Sequence, residues 1–181
     1  MTDEQSALRE GLRRVAVALR QAEIPYALGG SYAAWVRGAP EPDHDADFLI
    51  RPEDIERAKV AIDAAGLEVE DPTEDWLFKA FYEGELVDIL FRVCGEPVDD
   101  ELLDSADELE VLAIRMPVLS ATDLMSTKMR VLGEHYLDLS RSLPVARALR
   151  EQIDFGDVRR RTEGSPFGRA FFVIAEGLEI V

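Results

Sequence analysis

The run His44–Ile50, HDADFLI, narrows what this chain can become more than any other stretch. A β-strand sends successive side chains to opposite faces. Ala46, Phe48 and Ile50 then share an apolar face suited to packing on helices, while Asp45, Asp47 and Leu49 share the other. Two carboxylates are thereby placed side by side. At about 4 Å and an effective dielectric near 20 their repulsion is roughly 4 kcal/mol. A fold keeps such a pair when a shared proton, a lysine or a divalent cation offsets the charge, or when both acids face solvent on the exposed side of an edge sheet. The theme returns in ELVDILF, where Leu86, Asp88 and Leu90 share one face and Val87, Ile89 and Phe91 the other.

Upstream, IPYAL predicts a short strand over 24–28, broken by Gly29-Gly30. Such a turn lets backbone approach a ligand closely. Ser31 is expected to N-cap a short helix through Val36, closed by Gly38. The free N–H groups at a helix start form a natural phosphate seat, to which Ser31 adds a hydroxyl. The same residues also describe a simple capped turn. Hard oxygen ligands, without thiolates or imidazoles, suit magnesium. Three carboxylates on neighbouring strands suit two metal ions bridging a phosphate chain.

The rest of the pattern sets the frame. Leu8, Leu12, Val15 and Leu19 form one apolar stripe on a helix over 4–22. Pro52 opens a helix over 52–65 that Gly66 stops. LEVE reads as a strand, and WLFKAFYEGELVDILFRV as a hairpin around Glu83-Gly84-Glu85. Glu96–Glu110 carries eight acids and no base, expected as helix or loop, and EVLAIRMPVLS gives one or two short strands. Beyond Ser120 the pattern is helical. Ser120 and Asp123 make a capping-box pattern, and Pro144 and Pro166 suit first helical positions. The expected fold class is α+β with an α/β-type core: a mixed sheet flanked by helices over 1–118, and a helical appendage over 119–181.

Hydrophobic residues make up 47 % of the 181, enough for a packed core. No apolar stretch approaches the roughly 18 residues of a membrane span. The start MTDEQSALRE is acidic and polar, unlike a signal or transit peptide, so a cytoplasmic location and no membrane partner are expected. Cys94 is the one cysteine, which excludes an intramolecular disulfide and disfavours a thiolate zinc site. The net charge of -17 lies wholly in 1–118, with 28 acids against 11 bases; 119–181 balances nine against nine. Such a surface repels nucleic acid at long range, so no DNA partner is expected. It attracts cations, polyamine-like molecules included, and it also serves plain solubility.

Leu28-Gly29-Gly30-Ser31, Asp45-Ala46-Asp47-Phe48 and Val87-Asp88-Ile89 together resemble the signature of the DNA-polymerase-β-like nucleotidyltransferase superfamily. The similarity covers about 24–92. It is nearest to small bacterial members, namely the aminoglycoside and lincosamide nucleotidyltransferases and those of abortive-infection and toxin–antitoxin systems. It implies a palm-like sheet in which Asp45, Asp47 and Asp88 are metal ligands and catalytic residues for two Mg²⁺. Gly29, Gly30 and Ser31 would hold the β- and γ-phosphates of a nucleoside triphosphate such as ATP. Asp88 would also accept the acceptor hydroxyl's proton. In-line attack on the α-phosphorus would release pyrophosphate, a reaction that depends on positioning and charge neutralisation. Lys128, on the stripe Leu124, Lys128, Leu132, would reach the triphosphate or else snorkel to solvent. Arg37 reads as a solvated helix end, and His44 points away from the acidic pair. Glu41-Pro42-Asp43-His44 departs from toxin-type relatives, which carry a basic residue and a Ser or Thr there.

Three acceptor readings follow. One is a small molecule, cationic where its amino groups meet the acidic run Glu96–Glu110. The second is a protein or tRNA, with Arg159-Arg160-Arg161 as the basic cluster that would meet RNA. The third is a nucleotide-binding module without turnover.

Overall fold

A computed structural model describes residues 3–42 and 45–181, with the side chains of 3 and 4 left aside. Asp43 and His44 lie outside the described residues, and with them the expected first residue of the D-x-D strand and the direction of His44. The chain forms two compact units, one of Met1–Ala33 with Glu41–Leu119, the other of Ala34–Pro40 with Ser120–Val181.

The first unit is built on a seven-stranded mixed sheet. Its strands are β1 (Tyr26–Leu28), β2 (Ala46–Ile50), β3 (Glu68–Glu70), β4 (Leu77–Tyr82), β5 (Glu85–Leu90), β8 (Asp107–Val111) and β9 (Ile114–Val118). A separate two-stranded ribbon joins β6 (Arg92–Val93) to β7 (Glu96–Pro97). The sheet order is β3-β4-β5-β2-β1-β9-β8. β2 pairs with β5 in parallel and with β1 antiparallel, and β1 pairs with β9 in parallel. Helix α1 (Asp3–Gln21) packs on β4, β5 and α3 (Ile55–Ala64), as its apolar stripe predicts. Leu8, Leu12, Val15 and Leu19 are all buried. So are Ala46, Phe48, Ile50, Phe78, Ala80, Val87 and Ile89, the apolar face of the three central strands.

The β4–β5 hairpin turns through Glu83 and Gly84, both at positive φ (50° and 87°). That is the two-residue geometry whose twist matches paired strands. It fixes the register Tyr82↔Glu85 and, further along, Lys79↔Asp88. The β8–β9 hairpin turns through Leu112 and Ala113, at φ 50° and 65°.

Several local expectations are corrected. Glu96–Glu110 is not simply helix or loop: it spans β7, a short helix α4 (Asp100–Asp104) and edge strand β8. In β8 Val111 turns inward while Asp107, Glu108 and Glu110 are exposed, and charged side chains are a common way to protect a sheet edge. The helix expected over 52–65 opens as a 3₁₀ turn, Pro52–Asp54, before α3. Helix α2 (Gly30–Val36) begins at Gly30, and Gly29 occupies the N-cap, its carbonyl accepting from Ala33 N at 3.0 Å. Ser31 therefore sits inside the first turn and is not the cap. The first residues of α2 belong to the first unit and the last to the second.

The second unit is helical, with α5 (Ala121–Arg130), α6 (Ser142–Ala148), α7 (Phe155–Thr162) and α8 (Pro166–Gly177) around Leu124, Met125, Met129, Ala146, Leu149, Val158, Phe171 and Phe172. Ser120 caps α5 by accepting from Asp123 N, and Ser165 caps α8 with Pro166 at its first position. Pro144 is the third residue of α6, not its first. No described helix is long and apolar enough to cross a membrane.

Candidate active site

Parallel pairing of β2 with β5 puts Asp47 directly opposite Asp88. Asp45 precedes β2 by one residue. The structure thus draws together the three acids from segments far apart in sequence: one carboxylate oxygen from each lies within 4.8 Å of the others. Burial, and then the charge of Asp45, push the Asp88 carboxyl from 3.8 up to about 6, while Lys79 opposes the shift. Asp88 Oδ1 is buried and meets no hydrogen-bond donor.

Asp54 shows how the same unit treats a buried acid with no such purpose. It is 2 % exposed, and its oxygens accept from Arg51 Nε at 3.0 Å, Arg51 Nη2 at 2.8 Å and Arg57 Nη1 at 2.7 Å. An orphaned, desolvated carboxylate oxygen costs on the order of 1–3 kcal/mol. Near two further carboxylates, it has the chemistry of a site for a hard divalent cation. The residues present fit such an ion: three carboxylate oxygens converge.

The glycine turn serves this cluster. Gly29 N donates to Asp47 O at 2.8 Å, tying the turn to β2. Gly30 has φ +57°, and a Cβ there would lie 1.6 Å from Asp47 Oδ2. The missing side chain is the space that the Asp47 carboxylate occupies. Gly30 thereby makes room for the Asp47 carboxylate. Ser31 follows, half-buried, in the first turn of α2.

Lys128 is half-buried on α5, between buried Leu124 and Leu132, and belongs to the second unit, apart in sequence from the acids of the first. Arg37 is half-buried, and its carbonyl accepts from Gln152 Nε2 at 2.9 Å. The cluster on α7 is committed to acids: Arg159 pairs with Glu176, Arg160 with Asp157, and Arg161 with Asp123 and Asp157.

One residue escaped the sequence reading. Lys79 on β4 faces Asp88 across the hairpin, half-buried, and forms no ion pair among the described residues. The signal was present. A two-residue turn at Glu83-Gly84 pairs position 82 with 85, and hence 79 with 88.

No sequence-family model and no curated protein matches the chain. Solved structures do. The solution structure of the antibiotic-resistance factor ANT(2'')-Ia is similar over 94 % of this chain and 94 % of its own, with TM-score 0.63 at 15 % identity. ANT(2'')-Ia in complex with adenylyl-2''-tobramycin is similar over 91 % of this chain and 97 % of its own, with TM-score 0.54 at 16 % identity. The lincosamide antibiotic adenylyltransferase LnuA, bound to lincomycin, is similar over 75 % of this chain and 92 % of its own, with TM-score 0.53 at 13 % identity. The chain shares its fold with these solved structures, the kind of fold that the motif resemblance led one to expect.

Proposed function

We propose that this protein is a Mg²⁺-dependent nucleotidyltransferase that moves a nucleoside monophosphate from a triphosphate to an acceptor hydroxyl, releasing pyrophosphate. The observation that carries the reading is the convergence of Asp45, Asp47 and Asp88 within 4.8 Å, with Asp88 Oδ1 buried and unsatisfied. The three carboxylates would hold two Mg²⁺, with residues 1–118 as the nucleotidyltransferase core and 119–181 as its helical appendage. When bound, the cations supply charge neutralisation for the triphosphate and the developing alkoxide. Asp88 would accept the acceptor hydroxyl's proton, as the resemblance implies. The first turn of α2, with the Ser31 hydroxyl, would seat the β- and γ-phosphates, as the resemblance implies. The resemblance assigns a triphosphate contact to Lys128 as well.

A small-molecule acceptor fits best, with a cytoplasmic supply of ATP as donor. The net charge of -17 favours a neutral or cationic acceptor over RNA. The three α7 arginines, all ion-paired, add nothing that favours RNA. Calorimetry with ATP and Mg²⁺ on wild type and Asp45→Asn tests the site, with magnesium-dependent binding expected for the wild type alone. Equal binding by both proteins, or by neither, would remove the metal site and leave a module without turnover. Labelled nucleotides offered with aminoglycosides, tRNA or total lysate then identify the acceptor, and label in tRNA or protein would overturn the small-molecule reading.

A further inference from the structure

We propose, on the nucleotidyltransferase reading of the three acids, that Lys79 on β4 is a further catalytic residue whose ammonium holds a nonbridging oxygen of the donor's α-phosphate. Four residues of the first unit stand in a row. Asp47 Oδ2 fills the space where a Cβ of Gly30 would lie. Asp47 is opposite Asp88 in the parallel pairing of β2 with β5. Asp88 is opposite Lys79 in the antiparallel pairing of β5 with β4. Directly paired residues send their side chains to the same face of a sheet. Gly30, Asp47, Asp88 and Lys79 therefore follow one another along one face, while Phe78 and Ala80, on either side of Lys79, are buried on the other. Glu70 of β3 flanks Lys79 on its far side. Lys79 is half-buried and forms no hydrogen bond or ion pair among the described residues. Lys59 of the same unit, by contrast, pairs with both Glu56 and Asp71. An ammonium that two acids flank and neither engages is left for an anion.

The order of the row assigns that anion. With the β- and γ-phosphates held by Gly29, Gly30 and Ser31, the α-phosphorus falls beyond them, at the acids. In the transfer the acceptor oxygen bonds to this phosphorus. The bond from phosphorus to the bridging oxygen breaks, and pyrophosphate leaves with the electron pair. The acceptor's proton passes to Asp88. Attack runs in line, opposite the leaving group. The acceptor therefore enters from the side of Asp88 away from the glycine turn, and Lys79 is the next residue of the row on that side. Negative charge spreads over the equatorial oxygens of the phosphoryl group during the displacement. A cation already in place there lowers the barrier. Lysine suits the task, because its ammonium is a compact point charge on a flexible four-carbon stem with three rotatable donors.

Calorimetry of the full chain in Mg²⁺ compares ATP with inorganic pyrophosphate, on wild type, Lys79→Met, Lys79→Gln and Lys79→Arg, with Tm measured for each. Loss of a charge-assisted hydrogen bond should weaken ATP binding roughly 10–100-fold in Lys79→Met and Lys79→Gln, and less in Lys79→Arg. Pyrophosphate brings no α-phosphate and should bind each variant nearly as it binds wild type. Should Lys79→Met lose its thermal transition, the Gln and Arg variants carry the same comparison. A Lys79 that merely props the acids would weaken both ligands by the same factor, and that overturns the proposal. So does ATP binding that is unchanged or tighter in the variants. Wild type separates the two readings. If it binds neither ligand, the nucleotidyltransferase reading falls and the role of Lys79 falls with it. If it binds ATP but not pyrophosphate, the glycine-turn seat falls, and with it the placement of the α-phosphate beside Lys79.

Discussion

The two faces of the central strands obey opposite rules. On one, Ala46, Phe48, Ile50, Phe78, Ala80, Val87 and Ile89 are fully buried and make no polar demand. On the other, Asp47, Lys79 and Asp88 stand in one row across β2, β5 and β4, each half-buried, and Asp88 Oδ1 is left without a donor. The same strands supply both faces. The apolar face supplies stability, and the charged face gives some of it up to hold like charges together. A charged cluster built this way is held by the backs of its own strands.

This contrast can be broken from either side. The largest effect is expected from Phe48→Ala, which empties a fully buried position: a loss of about 3–5 kcal/mol in urea unfolding, on the face away from the acids. Gly30→Ala should follow, with about 1–3 kcal/mol of backbone strain at a left-handed φ. Because its methyl meets Asp47, metal binding should fall far more than stability does, a divergence that calorimetry beside urea melts would read. If both fall in proportion, Gly30 is merely a turn residue.

Third is Asp88→Asn. The raised carboxyl means that the folded state holds this proton more tightly than the unfolded chain. Without metal, Asp88 therefore costs stability above about pH 6, and the cost disappears as pH falls below the unfolded value near 4. Asp88→Asn should be more stable than wild type at pH 8 by about 1–2 kcal/mol, a figure reduced for partial solvent exposure. The two proteins should converge at pH 4, and saturating Mg²⁺ should favour the wild type. A less stable variant at pH 8 in chelator would contradict the charge argument. Smallest is Lys79→Met. It removes the Lys79 charge that opposes the upward shift, so the Asp88 carboxyl, followed by carbon-detected NMR, should titrate above about 6.

What could be read from the sequence follows from periodicity. Strict alternation exposed the two-faced character of the β2 and β5 runs, and the i, i+4, i+7 stripe located α1. The remainder depended on pairing, which a one-dimensional pattern does not carry. β8 was hidden because its acids looked like a solvated run; only its inward Val111 and its partner β9 reveal a strand. Its turn was hidden too, since Leu112 and Ala113 adopt positive φ without the glycine or asparagine that normally marks such a turn. Ser31 looked like the cap because serine favours that role, but Gly29, two residues earlier, supplies the carbonyl that accepts from Ala33 N.

The parallel alignment of β2 with β5 also dictates timing. Parallel neighbours need a crossover, here the whole stretch from Arg51 to Gly84, before Asp88 can meet Asp47. A nascent chain that has made only the first two acids holds an incomplete cage with weak grip on any ion. With the proposed metal site, capture of a cation would come late, once the hairpin has docked, and each bound ion would then work as a latch against unfolding. At a free concentration a hundredfold above its Kd that latch adds about 2.7 kcal/mol.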